Sequence, residues 1–135
     1  MPTPTHKDEE AAVPASTVVL VAFDGVEAID VAGPASVFSK AEQLRPGSYE
    51  VLIASPGGGT VSTNSGLQLG GTCSLDALPG AIDTLIVAGG DEPAVRHAIL
   101  EQRIGDWIAQ AAPRVRRIAS VCSGAFALAA AGLLD

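Results

Sequence analysis

Cysteine is scarce in this sequence: Cys73 and Cys122 are the two among 135 residues, with no CxxC and no Cys/His spacing. That excludes a disulfide framework and a zinc site of the usual spacing, and it fits a reducing cytoplasm. Histidine is as rare, with His6 near the start and His97 in the second half. Neither is a credible general base for a Cys/His couple. Positive charge is thin: eight Lys and Arg stand against 15 Asp and Glu, a net charge of −7. A chain so acidic lacks the footprint of a polyphosphate binder, so direct nucleic-acid contact is not expected. The basic cluster Arg114, Arg116 and Arg117 falls where a helix end meets a strand start, and cations there complement the helix dipole. No apolar run free of Gly, Pro and charge is long enough to span a bilayer, so no membrane contact is expected. Residues 1–16 carry no apolar core of a signal peptide and read as a disordered tail. We assign the chain no metal and no cofactor.

What is present is a core. Hydrophobic residues make up 47% of the chain, enough for one domain over residues 17–135. Thr17 to Phe23 is a β-branched apolar run, the mark of a strand buried on both faces of a parallel sheet. Gly33-Pro34 signals a helix start with Pro in its first turn, followed by an apolar stripe of Val37, Phe38, Ala41 and Leu44. Tyr49 to Ala54 and Asp83 to Ala88 read as further strands. Between them, Thr60 to Gly71 reads as a small hairpin projecting from the sheet, and Ser74 caps one helical turn. Glu92 to Ala112 is helical, with a break near Leu100 and the stripe Ile104, Trp107, Ile108, Ala111. Val115 to Val121 is the last strand. Strands alternating with helices imply an α/β fold, a three-layer sandwich around a mostly parallel sheet, with ligands beyond the carboxyl ends of the strands.

Three features converge on that rim. Cys122 stands where Ile118-Ala119-Ser120-Val121 stops and the small-residue segment Ser123 to Ala129 begins, the placement of a nucleophile elbow. A thiol there meets the positive end of the following helix, and Gly124 keeps the turn uncrowded. Asp30 follows the first strand; it either caps the next helix or reaches the thiol as proton acceptor. Glu27 is the competing acid, and Asp30 is preferred. Gly89 and Gly90 close a strand, and their amides with that of Ser123 would form an anion-stabilising pocket. The hydroxyl of Ser123 contacts ligand or caps its helix, with capping preferred. Cys73 reads as a buried structural thiol and Trp107 as core.

With these residues placed, the pattern resembles the ThiJ/PfpI superfamily, which shares its flavodoxin-like fold with class I glutamine amidotransferases. The resemblance runs through Phe23 to Pro34, Ser65-Gly66-Leu67, Val87 to Gly90 and Arg116 to Phe126. It covers Thr17 to Asp135 and is similar to the N-terminal domain of AraC-family transcriptional regulators, with the same landmarks in isonitrile hydratase. The regulator resemblance implies a small-molecule effector, a homodimer, and DNA binding through a separate helix-turn-helix domain. The hydratase resemblance implies that Cys122 attacks an isonitrile carbon while Asp30 handles protons. The family continues beyond the point matched by Asp135, so the chain reads as a truncated domain whose apolar surface calls for a partner.

Overall fold

The computed structural model describes residues 14–134. Its strands are β1 (Ser16–Val21), β2 (Tyr49–Ser55), β3 (Gly59–Ser62), β4 (Gln68–Ser74), β5 (Ile82–Val87) and β6 (Val115–Ser120). Its helices are α1 (Ala28–Leu44), α2 (Glu92–Leu100), α3 (Ile104–Ala111) and α4 (Ala125–Ala130), with 3-10 turns at Leu75–Ala77, Ala112–Arg114 and Cys122–Gly124. The expected tail lies largely on residues 1–13, outside the described ones, and Ser16 already belongs to β1.

The six strands run in the order β3-β4-β2-β1-β5-β6, all parallel except the β3–β4 pair. β1 is central because Val18, Val19, Leu20 and Val21 are apolar on both faces and fully buried. β2 flanks it on one side, with Val18 opposite Val51. β5 flanks it on the other, with Val18 opposite Thr84. α1 packs on β1 and β2, where the Phe38 ring meets Tyr49 edge-on at 5.0 Å. The cluster of α2, α3 and α4 forms the other layer, with α4 resting on β5 and β6. The chain changes direction across the sheet between β1 and β5. Loops leaving the carboxyl ends of these two strands therefore diverge and open a crevice.

Three expectations are corrected. Helix α1 begins at Ala28, not at Gly33-Pro34, so Pro34 lies inside the helix and the Asp30 carbonyl lacks its i+4 amide. Val37 and Leu44 are not a core stripe: they are exposed, Leu44 by 87%, because α1 turns the stripe Val31, Ala35 and Phe38 to the core instead. The hairpin does not simply project. β4 is stitched to β2 through Ala54–Cys73 and Ser55–Ser74, and the Ser55 and Thr72 hydroxyls bond at 2.6 Å beneath that seam. The break in the long helical segment falls at residues 101–103, where Arg103 takes φ +57° before α3. Cys73 is half-buried against the core. Trp107 also packs there, donating its indole N–H to the Leu75 carbonyl at 3.2 Å.

Candidate functional site

Three loops meet at the carboxyl end of the sheet. The first, after β1, turns at Gly25, where the φ of +85° and an approach to Ala94 exclude a side chain. It delivers Glu27 to the start of α1 and Asp30 to its first turn. The second follows β5 through Gly89 and Gly90 to Asp91, at the start of α2. The third is the strand-to-helix turn at Cys122. The Val121 amide still bonds the Val87 carbonyl at 2.9 Å, prolonging the β5–β6 ladder by one residue. Cys122 then turns sharply at φ +50°, and its side chain is exposed. Gly124 seats the turn: any Cβ there would run into the carbonyl oxygens of Val87 and Ala88.

A crevice of about 290 Å³ lies between these loops. Glu27, Asp30, Gly90, Cys122 and Ser123 line it, together with Ile29 and Asp91. Sequence reasoning named the first five. Gly89, the sixth residue named, lies behind the wall; a Cβ there would meet Ser123 Oγ at 2.7 Å and Asp30 Oδ2 at 3.0 Å.

The hydrogen bonds correct four of the roles. Asp30 does not cap α1: its carboxylate, buried to 4% exposure, accepts the Gly89 amide at 3.0 Å through Oδ2. Ser123 does not cap its helix either. Its hydroxyl donates to the Gly90 carbonyl at 2.8 Å and accepts the Gly90 amide at 3.0 Å. Both glycine amides are thus engaged inside the protein and do not join the Ser123 amide in the anion pocket expected of the three. Glu27 is no free solvated acid: Asn64, in the turn of the β3–β4 hairpin, donates its side-chain N–H to Oε2.

Asn64 and Asp91 were missed. Asn64 looks like a turn residue in Asn64-Ser65-Gly66, and its pairing with Glu27 across 37 residues leaves no local trace. Its backbone amide also bonds the Val26 carbonyl at 3.0 Å, and the Gly25 amide bonds Ser62, so the hairpin is pinned to the crevice wall. Asp91 did carry a signal, the acid directly after the glycine pair. His97 is exposed on α2 and does not line the crevice. Beside the crevice, and sharing Ser123 with it, runs an apolar groove of about 540 Å³ between α2 and α4, walled by Val95, Ile99, Leu100 and Phe126.

A family model described as the DJ-1/PfpI family matches residues 16–135. An uncharacterized protein in the cpoL 5′ region of Streptomyces lividans is 40% identical over 119 residues, covering 87% of this chain and 81% of that protein. The HTH-type transcriptional regulator GlxA of Rhizobium meliloti (strain 1021) is 37% identical over 95 residues, 64% of this chain and 26% of the regulator. Isonitrile hydratase of Pseudomonas putida is 29% identical over 114 residues, 84% of this chain and 46% of the enzyme. The chain thus spans about a quarter of the regulator and under half of the hydratase. A crystal structure of an AraC family transcriptional regulator from Pseudomonas putida shares the fold, with a TM-score of 0.75 at 24% identity over 89% of this chain and 63% of that one.

Proposed function

Because the chain belongs to the DJ-1/PfpI family, we propose that it is the ligand-sensing domain of an AraC-type transcriptional regulator working in the cytoplasm. Its crevice holds a small-molecule effector, the domain pairs with a second copy, and DNA is contacted by a helix-turn-helix unit rather than by this acidic surface. The observation that carries this reading is the occupied glycine pair. A cysteine enzyme of acyl-transfer type needs preorganised donors where negative charge develops. Here the Gly89 and Gly90 amides face Asp30 and Ser123 instead, and no imidazole among the described residues lines the crevice. The likeness to GlxA supports the same reading.

A second reading, a cysteine enzyme of the isonitrile hydratase type, rests on an exposed thiol at φ +50° beside a buried acid. In that chemistry the Cys122 sulfur bonds the isonitrile carbon, which takes up a proton by way of Asp30. Water then adds to that carbon and the thiol leaves, so that R–NC and H2O give R–NH–CHO. One experiment separates the two readings: incubation with cyclohexyl isocyanide, following the formyl proton of N-cyclohexylformamide by NMR. The sensing reading expects no more product than from Cys122→Ala. Turnover that disappears in that variant would establish the enzyme instead.

A further inference from the structure

We propose that the crevice beside Cys122 takes a small organic cation bearing N–H donors, an alkylamine or alkylguanidinium, held by Asp30, Glu27 and Asp91. This rests on the sensing reading and deepens it by naming the chemistry of the effector. The polarity of the crevice sets that chemistry. Three of its lining residues are carboxylates, and none is Lys, Arg or His. Three donors of the rim are occupied: the Gly89 amide by Asp30, the Gly90 amide by Ser123, and the Ser123 hydroxyl proton by the Gly90 carbonyl. Every charged group that a ligand meets here is an acceptor, and the ligand supplies the donors to it.

Asp30 makes the demand specific. With 4% exposure and Oδ2 taken by Gly89, it has no partner for Oδ1 among the described residues. Gln102 Oε1 is the one side-chain atom among those residues that is sealed off without a partner, so Asp30 Oδ1 keeps an opening to the crevice that Asp30 lines.

The carboxylates are not explained as helix caps. Glu27 and Asp91 occupy the cap positions of α1 and α2, yet neither side chain bonds a first-turn amide. The helix starts do place positive partial charge nearby, roughly half a charge each. Three carboxyl groups are set against it. The whole-chain charge of −7 adds attraction for a cation. A quaternary ammonium ion is the wrong cation: it has no N–H to give, and no aromatic ring lines the crevice to receive it. An alkyl body has room in the apolar groove, which adjoins at Ser123.

The test is titration calorimetry on the 135-residue chain with n-butylamine and n-butylguanidinium, against tetramethylammonium and butyrate. The two N–H cations should bind, tetramethylammonium about tenfold or more weaker, and butyrate not at all. Raising the salt should weaken the cations. Asp30→Asn and Asp91→Asn should each weaken them by about tenfold. Asp91 is exposed and its side chain makes no bond among the described residues, so Asp91→Asn stands even where Asp30→Asn fails to fold. Failure of both N–H cations to bind, equal binding of tetramethylammonium, or cation affinity unchanged in Asp91→Asn overturns the proposal. Butyrate bound in the crevice would also overturn it while leaving a sensing pocket intact. Loss of the sensing reading itself would appear separately, as isocyanide turnover.

Discussion

At Cys122 the backbone occupies a left-handed conformation, φ +50°, that costs an L-residue roughly 1–2 kcal/mol. The β5–β6 ladder behind it and Gly124 in front leave the chain no other path. Strain held at a residue facing a crevice serves placement of its side chain, here a thiol. Replacing Cys122 by Gly should therefore raise stability in urea denaturation by about 1 kcal/mol or less, after glycine's extra unfolded-state freedom is subtracted. Cys122→Ala should gain nothing, and a Gly variant no more stable than the Ala variant would show the turn to be unstrained. Gly124→Ala pushes a methyl into backbone carbonyls that cannot move aside, so it should cost at the upper end of about 1–3 kcal/mol on the same measurement. Cys122 is nameable from sequence because it comes just after a readable strand end, and Glu27 and Asp30 because they fall in the loop and helix start after β1. Asn64 was not, since its role arises from a hydrogen bond between loops that no periodicity encodes.

Strands were the most legible elements, because β1 and β5 are runs of Val, Ile and Leu that only a two-sided core explains. Helix α1 was misread because a proline usually opens a helix. Here the bond of Asp30 to Gly89 anchors the turns ahead of Pro34 and carries the helix start back to Ala28. The basic cluster beside β6 also has a use beyond the helix dipole. Arg116, reaching across to β5, holds the Asp83 carboxyl below the usual carboxylate range, with the Thr84 hydroxyl adding to the effect and burial opposing it. A depressed folded-state pKa contributes stability at neutral pH and loses it as pH falls through that value. Asp83→Asn should thus melt below the parent chain at pH 7. The gap should begin to narrow as pH falls below about 4, the ordinary carboxylate value, and close only below the lower folded-state value, where the parent carboxyl is protonated as well. A gap that persists unchanged at pH 3 would deny the pair this role.

At the scale of the whole molecule, the apolar groove between α2 and α4 leaves large apolar side chains open to solvent. Phe126 is 67% exposed and Leu100 64%, and the chain was expected to show such a surface. Purified chain should bind the dye ANS and scatter more light as its concentration rises, and Leu100→Ser with Phe126→Ser should abolish both without lowering the melting temperature. Dye binding that survives the double substitution would locate the sticky surface elsewhere. The bond of Ser123 to Gly90 has a consequence at this scale too. It joins two residues 33 apart, the points where the polypeptide departs for α2 and α3 and where it comes back. That excursion is cinched at its neck. The mouth of the crevice is therefore held in register at both ends of that excursion, whatever fills the groove beside it.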